Sequence, residues 1–264
     1  HWKALAKELS SESINLEGPV SNSLLIHRQQ SRLNPAVEVG VFLTKKSSNK
    51  KTGNMPQVLI IRLDQAPNKA VQNGDDQAIC GDCKHRKQAD GKRSCYVKVI
   101  HGPASTYRAW KRGNVDTASL DTARKLCKNK VVRLGIYGDP SAIDPEVWET
   151  VLADSRSKTG YTHQWKTNPA LSSVTMASVD SPEEQRQAQD LGFRTFRVRT
   201  ETEPLLPGEI TCPASAEAGE RTTCLKCGLC DGKHGPNDHR KNISIIAHGN
   251  GKANFVSVAS LKKL

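Results

Sequence analysis

Seven of the eight cysteines in this 264-residue chain fall in two groups, and thiolates so close in sequence are typical metal ligands. The second group consists of Cys212, Cys224, Cys227 and Cys230. Three cysteines spaced by two residues, with a fourth nearby, have the spacing of a four-coordinate metal or iron–sulfur site. The sequence therefore predicts a closed site, in which protein ligands fill every position.

The spacing of the second group leaves two occupants open, zinc and a [4Fe–4S] cluster. Zinc is the more common occupant of four-cysteine sites in nucleic-acid-binding proteins. The run from Cys224 to Cys230 has ferredoxin-type spacing, and Cys212 precedes Pro213 as the distal ferredoxin ligand precedes a proline, although the order is reversed. Three cysteines spaced by two also wrap a cubane more readily than a zinc ion, whose ligands usually come in two pairs. We favour [4Fe–4S], with zinc as the alternative.

The first group, Cys80, Cys83 and Cys95, supplies three ligands and no obvious fourth. His85 and Cys127 are candidates for the fourth position, but Cys127 lies late in a predicted helix and fits a half-buried structural cysteine better. A cluster held by three cysteines keeps one iron open to a substrate or cofactor. The sequence therefore predicts that the first site is open and reactive, whereas the second is structural or transfers electrons.

The charge of the chain favours a polyanionic partner. Lys and Arg number 39 against 27 Asp and Glu, which gives a formal charge of +12 at neutral pH. Nucleic acid is the simplest such partner, and a basic protein with its charge spread over the surface is the alternative. The sequence contains no run of eighteen apolar residues and no leader pattern, so we expect a cytoplasmic protein without a membrane span. Disulfides are not expected, because Cys-x2-Cys pairs are too close for ordinary structural bridges.

Several basic segments are candidate phosphate contacts. One is the basic loop 45–51, and a second is the loop of the first cysteine group, residues 84–98. A third, residues 107–112, interleaves aromatic and cationic residues as single-strand binding sites do. Charge runs of this length are also common on solvated surfaces, so only their combination favours nucleic acid. The predicted contacts are Lys45, Lys46, Lys50, Lys51, Arg86, Arg108 and Trp110.

The predicted elements change character along the chain. Residues 1–35 are polar and predict a weakly ordered arm with a short helix, and residues 36–43 and 58–63 predict a β-hairpin. Helices and strands then alternate, which favours a parallel sheet or part of a β/α barrel. The predicted helices cover residues 119–128, 144–155 and 181–192, and the predicted strands cover 131–137, 161–165, 174–179, 193–200, 243–247 and 255–258.

These elements predict an α/β fold with a partial or irregular β/α barrel. We divide the chain into an N-terminal arm and hairpin (residues 1–77), a barrel-like core with the first cysteine loop (78–205), and a four-cysteine metal module with closing strands (206–264).

The stretch that ends in Gly138-Asp139-Pro140 resembles a turn of the radical S-adenosylmethionine (radical SAM) barrels. In that superfamily a three-cysteine loop is followed by a strand whose Gly-Gly-Glu-Pro-like turn contacts the methionine amino group. Tyr137 and Asp139 stand where that turn has Gly and Glu, and C-x2-C-x11-C replaces C-x3-C-x2-C. The resemblance implies that Gly138 and Asp139 seat S-adenosylmethionine, and that the four-cysteine module holds an auxiliary cluster.

The chain is also similar to an uncharacterised family of cysteine-rich proteins carried by phages and plasmids. The shared features are Cys-x2-Cys with a later Cys-Tyr, the motif Tyr-x-His-x-Trp that begins at Tyr161, and Cys-Pro-Ala-Ser that begins at Cys212. This resemblance implies an origin on a mobile genetic element.

Two strand faces supply candidate active-site residues. Tyr161, His163 and Trp165 alternate as one face of a strand, and we expect His163 to donate or accept a proton near the open cluster, with Tyr161 and Asp139 beside it. A hydrogen-bonded core histidine flanked by packing aromatics is the alternative for His163. Arg197 and Arg199 share a face of a later strand, and either bind an anionic substrate or cofactor or are simply solvated.

Together these features predict an iron–sulfur metalloprotein, radical-SAM-like, which acts on or binds nucleic acid or a nucleotide-derived substrate. The alternative is a zinc-stapled nucleic-acid-binding or host-interaction protein without enzymatic activity. The sequence leaves open whether the protein is an enzyme.

Overall fold

The computed structural model describes residues 22–47, 49–249 and 251–255, and all structural statements below refer to these residues. The fold is mixed α/β with one six-stranded and one five-stranded sheet. The predicted α/β class is confirmed. No helix in these ranges is long and apolar enough to cross a membrane.

The first sheet joins an antiparallel meander to a parallel set of strands. Its strands β1 to β3 pair antiparallel, and the third strand continues into two parallel neighbours, in the order β4-β1-β2-β3-β5-β6. The predicted hairpin is confirmed as the pair formed by the second and third strands. The strands are β1 (Ser23–Gln30), β2 (Glu38–Thr44), β3 (Gln57–Arg62), β4 (Asp116–Thr117), β5 (Val131–Tyr137) and β6 (Ser157–Thr159).

The second sheet is entirely parallel, with the order β10-β11-β9-β8-β7. Only Gly160 separates the last strand of the first sheet from the first strand of the second, so the chain passes directly between the two sheet edges. A Cβ at Gly160 would lie 3.0 Å from Leu134 Cβ, which explains the small residue at this junction. The strands are β7 (Tyr161–Thr162), β8 (Met176–Val179), β9 (Thr195–Arg199), β10 (Glu209–Thr211) and β11 (Asn242–Ile246).

Local sequence signals explain several helix boundaries. Ser119 accepts a hydrogen bond from the Thr122 amide, and Ser181 accepts one from the Glu184 amide, as N-caps do. Gly192, with φ of +85°, follows the end of the helix that Ser181 begins. The helices are α1 (Pro67–Asn73), α2 (Gln77–Cys80), α3 (Gly102–Lys111), α4 (Leu120–Cys127), α5 (Pro145–Leu152), α6 (Pro182–Asp190) and α7 (Cys224–Cys227).

The apolar residues form one large and one small core. The large core surrounds the first sheet and its helices, and Trp148, Trp165 and Phe42 are among its largest buried side chains. The small core packs Met176 and Ile243 of the second sheet against the four-cysteine module. Because the small core has few members, burial alone stabilises that module weakly.

Three sequence predictions of local structure differ from the structure. Residues 23–30, which fall in the predicted weakly ordered arm, form strand β1, which pairs with β2. The short helix predicted within residues 1–35 does not occur in residues 22–35, and residues 1–21 lie outside the described ranges. The strand expected over 161–165 ends at Thr162, because the next residues turn around Gln164, whose carbonyl accepts from the Thr167 amide. Residues 252–255 are helical, so Phe255 does not begin a closing strand, and the rest of that predicted strand lies outside the described ranges.

The end of β5 approaches β3 so closely that only glycine fits at position 138. Gly138 has φ of +82°, and a Cβ there would lie 2.7 Å from Ile60 Cβ and 2.8 Å from the Ile60 carbonyl oxygen. The left-handed backbone and the packing each exclude a side chain. The contact is between two strands, so backbone packing accounts for the glycine without a ligand.

We expect Gly138→Ala to lower the free energy of unfolding by roughly 2–5 kcal/mol, because left-handed strain adds to overpacking against Ile60. Gly192→Ala is the matched control, since Gly192 has a similar φ of +85° but no atom within 4 Å of a new Cβ. Urea unfolding of both variants measures the difference. Equal losses in the two variants would show that the approach to Ile60 is not restrictive.

Candidate metal centres

The first cysteine group converges although eleven residues separate Cys83 from Cys95. Helix α2 ends at Cys80, and the Cys83 amide donates to the Cys80 carbonyl at 3.3 Å. The loop then returns, so that the Cys95 amide donates to the His85 carbonyl at 2.9 Å. The three thiols lie near enough for their charges to interact, which supports the predicted grouping.

The three cysteines are half-buried in a polar environment. Burial raises the pKa of Cys80 well above its usual value, and the charges of Asp76, Cys83 and Cys95 add to the effect. Burial likewise raises the pKa of Cys83 to about 12. A metal at this site would therefore displace thiol protons, and its binding would release them to solvent.

Arg86, predicted as a nucleic-acid contact, instead fixes this loop. Its guanidinium donates to buried Asp76 at 2.9 and 2.7 Å, and to the Gly81 carbonyl at 3.0 Å. The side chain is thus committed within the protein, and a phosphate would have to break a buried ion pair to reach it. Arg93 acts similarly, since it donates to the carbonyls of Cys95 and Val97.

The first group lies where parallel strands end. Asp139 follows β5, His163 follows β7 and Asp180 follows β8, and all three meet the loop that carries the cysteines. The Asp139 amide donates to the Ile79 carbonyl, one residue before Cys80. Carboxyl ends of parallel strands are the usual place for active sites in α/β proteins.

Asp139 joins these strand ends. One carboxylate oxygen accepts from the Ser141 amide at 2.9 Å and from the Thr162 hydroxyl at 2.7 Å, and the other accepts from the His163 amide at 2.7 Å. Burial raises the pKa of Asp139, although the nearby His163 opposes the effect. Because both oxygens already accept bonds from the chain, we assign Asp139 to positioning and place no ligand contact on it.

His85 and His163 lie side by side above the strand ends, with ring centres 5.5 Å apart. Both ring nitrogens of His85 are engaged, one with the Ser94 hydroxyl at 2.9 Å and the other with Asp180 at 3.2 Å. The Nε2 atom of His163 is buried and finds no hydrogen-bond partner in the described part of the chain. His163 is therefore the side chain with spare donor or acceptor capacity, whereas His85 is not free to be a fourth ligand.

Asp180 remains ionised in this arrangement. Burial alone would raise its pKa, but the hydrogen bond from His85 and the charges of His85, His163 and Lys84 hold the pKa below its usual range. Lys84 completes the group with an ion pair to Asp180 at 3.0 Å. Cys127 lies in the large core and is not part of this group.

The second cysteine group lines one cavity. Cys212 directly follows β10, and its amide donates to the Ser244 carbonyl at 2.8 Å, while the Cys224 amide at the start of α7 donates to the Lys51 carbonyl at 3.0 Å. Cys230 contacts the junction of the two sheets through its carbonyl, which accepts from Gly160 at 3.4 Å. The cavity lining is Thr159, Cys212, Pro213, Ala214, Cys224, Cys227, Gly228, Leu229, Cys230 and Ile243.

The four thiols of this group also interact with one another. Burial raises the pKa of Cys230 to about 12, and the charges of Cys212, Cys224 and Cys227 contribute in the same direction. The Tyr161 hydroxyl forms a hydrogen bond with Cys230 that favours the thiolate. The Tyr161 side chain thus points at the second group, and its ring centre lies 4.1 Å from that of Phe196. Trp165 lies instead in the large core. The predicted common face of Tyr161, His163 and Trp165 is wrong.

The described ranges contain no group of three or more His, Cys, Asp or Glu side chains that could hold a metal ion. The four-thiol cavity encloses about 10 Å³, the space of roughly one water molecule. A void of this size does not enclose a cubane of four irons and four sulfides, so the cavity does not favour a cluster over a single ion. The preference for an iron–sulfur cluster therefore rests on the cysteine spacing and stays a prediction.

The two cysteine groups are connected through one face of the sheet. Tyr96, directly after Cys95, accepts a hydrogen bond from Arg133 of β5 at 3.0 Å. The charge of Arg133 acts on Tyr161, which is bonded to Cys230. Arg133 thus interacts with Tyr96, the neighbour of Cys95 in sequence, and with Tyr161, the hydrogen-bond partner of Cys230.

The predicted substrate arginines have other partners. Arg197 is buried and forms a two-pronged ion pair with Glu209 at 2.9 and 2.8 Å, which stabilises the turn before β10. Arg199 donates to the carbonyls of Thr200 and Glu203. The Arg197 guanidinium is therefore committed within the protein, whereas the Nε atom of Arg199 is buried and has no hydrogen-bond partner in the described ranges. The assignment of these residues to an anionic substrate or cofactor stays a prediction.

The remaining predicted nucleic-acid contacts differ in their exposure to solvent. Lys46, Lys50 and Arg108 are exposed, and Lys45 and Lys51 are half-buried. Trp110 is half-buried and packs edge-on against Phe42 with ring centres 6.2 Å apart, so it serves the core more than a base.

The sequence analysis did not identify Thr162, Gln164 or Asp180 as site residues. It also did not predict the hydrogen bonds of His85 to Ser94 and Asp180. Asp180 directly follows a predicted strand, as Asp139 does, so the position of acidic residues at strand ends was the available signal. Gln164 donates to Asp82 at 2.7 Å and to the Cys80 carbonyl at 3.3 Å, and no motif marks it.

We expect Asp139→Ala to destabilise the protein by about 3 kcal/mol or more even without any ligand, because three buried donors lose their acceptor. Asp144→Ala is the control, since Asp144 is exposed and pairs only with exposed Arg32, and its loss should be at most about 1 kcal/mol. Urea unfolding at neutral pH measures both. A stability loss no larger than that of the control would argue against a positioning role.

Comparisons of the chain with protein-family models, with curated proteins and with solved structures found no match. The resemblances drawn from the sequence motifs therefore stay predictions, and the geometry of the two cysteine groups carries the functional argument.

Proposed function

We propose that the protein is an iron–sulfur protein with two cysteine-held clusters, one open and one closed, and that it acts on nucleic acid or a nucleotide-derived substrate in a radical-SAM-like manner. The observation that carries the proposal is the gathering of Cys80, Cys83 and Cys95 at the edge where β5, β7 and β8 end. Three thiols and no free fourth ligand are what an open cluster requires, and this edge is where α/β proteins bind substrates.

The closed cluster belongs to the four-cysteine module. The two-residue spacing of Cys224, Cys227 and Cys230, with Cys212 as a fourth thiol, favours a [4Fe–4S] cluster. The Tyr161 hydroxyl bonded to Cys230 supplies the kind of sulfur hydrogen bond that tunes such clusters. The small core around Met176 and Ile243 offers little burial, so the cluster would supply much of the stability of this module.

The open site would use its own residues as follows. Cys80, Cys83 and Cys95 would hold the cluster, and Asp139 orients the loop around them. His163, with its unpartnered Nε2, would donate or accept a proton at the substrate. When bound, an open cluster supplies one electron to a cofactor such as S-adenosylmethionine, and the protein's part is orientation and exclusion of water.

Further features support this assignment. All eight cysteines are free thiols, so the seven in the two groups are available as ligands. The parallel neighbours are β3-β5-β6 in the first sheet and β7-β8-β9-β11-β10 in the second, an arrangement compatible with an irregular barrel. The formal charge of +12 favours a nucleic-acid partner.

Metal analysis of variants tests the two sites separately. In an anaerobic preparation, Cys83→Ala should lose about one cluster of iron and sulfide and remain folded, whereas Cys227→Ser should lose the other. The Cys227 variant should also be largely insoluble, since structural metal sites contribute roughly 10–16 kcal/mol in zinc-finger peptides. Cys127→Ala is the matched control and should retain all metal, because Cys127 lies in the large core.

Two results would overturn the assignment. Unchanged metal in Cys83→Ala would exclude the first group as a metal site and remove the enzymatic proposal. A colourless protein with zinc and no sulfide would instead favour the zinc-stapled nucleic-acid-binding protein.

Binding of S-adenosylmethionine tests the open cluster. Titration calorimetry of the fully clustered protein should show binding that is lost in Cys83→Ala, because the open iron is the anchor, and retained in Cys127→Ala. Absence of binding to the fully clustered wild type would leave an iron–sulfur protein without this chemistry.

A further inference from the structure

A large groove lies at the opposite edge of the first sheet from the three-cysteine site. Its volume is about 670 Å³, and it opens where β3, β5 and β6 begin. The lining residues are Asn54, Met55, Pro56, Asn129, Lys130, Val131, Arg156, Ser157, Leu225, Lys226 and Gly228.

The groove carries three cations and no carboxylate. Lys130, Arg156 and Lys226 are exposed, and none forms an ion pair within the ranges that the structure describes. The acidic residues nearest in the fold are already paired, Asp154 with Arg124 at 3.6 Å and Asp231 with Lys158 at 3.8 Å. Three unpaired cations around one cavity attract an anion.

The floor of the groove is apolar, unlike its charged lining. Met55, Pro56 and Val131 are buried apolar residues at its base, and Asn54 and Asn129 supply polar groups at its rim. A ligand that fits must combine anionic groups with less polar surface, as a nucleotide does with its phosphate, sugar and base. A pocket of this size encloses a ligand of small-molecule dimensions, which suits a single strand and not a duplex.

The four-cysteine module forms one wall. Lys226 lies between Cys224 and Cys227, and Gly228 lines both the groove and the four-thiol cavity. Leu225 anchors this wall through its amide, which donates to the Thr52 carbonyl at 3.2 Å. The position of Lys226 therefore depends on the order of the module.

We propose that this groove binds the phosphodiester backbone of a single-stranded nucleic acid, with Lys130, Arg156 and Lys226 as the phosphate contacts. The inference rests on the nucleic-acid partner proposed above and is independent of which metal the cysteines hold. None of these three residues belongs to the basic segments that the sequence singled out.

The test uses the full chain and a fluorescein-labelled oligothymidine of twelve nucleotides, with binding followed by anisotropy at several salt concentrations. The triple variant K130Q/R156Q/K226Q should bind on the order of 100-fold more weakly at 0.1 M salt, and its slope of log K against log salt should be shallower by about 2, since each single-strand contact contributes about 0.7. K69Q/R112Q/K241Q removes the same charge from exposed residues outside the groove and should keep the wild-type slope.

The outcomes separate this inference from the proposed function. Equal losses in the two triple variants, with the wild type binding, would overturn the groove and leave the nucleic-acid partner standing. No binding by the wild type would overturn both. Adenosine monophosphate that competes as well as unlabelled oligothymidine would identify a free nucleotide and overturn the strand assignment. Equal iron and sulfide in both triple variants checks that the cysteine modules remain intact.

Discussion

The three-cysteine site depends on one buried carboxylate. Asp139 receives hydrogen bonds from Ser141, Thr162 and His163, while its own amide bonds to the Ile79 carbonyl beside Cys80. The ends of β5 and β7 and the start of the cysteine loop are thereby held together. A buried carboxylate is tolerated only where such donors surround it, so the charge and the convergence of these segments require one another.

Elements with strong local signals could be predicted from the sequence. The β2–β3 hairpin, strand β5 and the helix capped by Ser181 carry alternation or capping residues that act within a few positions. Strand β1 was missed because its outer half, Arg28 to Gln30, is polar, and only pairing with β2 identifies it. The strand at residue 161 was overextended because Gln164 and Trp165 turn to meet distant partners, and such contacts leave no local pattern.

The candidate sites show the same difference between features with a local sequence signal and features that depend on distant contacts. Cysteine spacing singled out both groups, and the thiols of each interact electrostatically in the structure, whereas metal binding stays a prediction. The roles of Arg86, Arg197 and Asp139 could not be read from the sequence, since an arginine or aspartate that faces a ligand has the same local pattern as one in a buried ion pair. Position at a strand end is the more informative property, and it groups Asp139, His163 and Asp180 without reference to any motif.

The two edges of the first sheet differ in charge. Buried acidic residues beside the three-cysteine site are paired, whereas the cations of the groove at the other edge are free to meet phosphate in the described part of the chain. The seven residues of β5 separate these edges by roughly 23 Å at about 3.3 Å per residue. A stacked strand, which rises about 3.4 Å per nucleotide, needs roughly seven nucleotides to cover that distance, and an extended strand needs fewer. A mononucleotide would reach only one edge, so under the proposed function a polymer held at the groove would place a nucleotide farther along the same strand at the three-cysteine site.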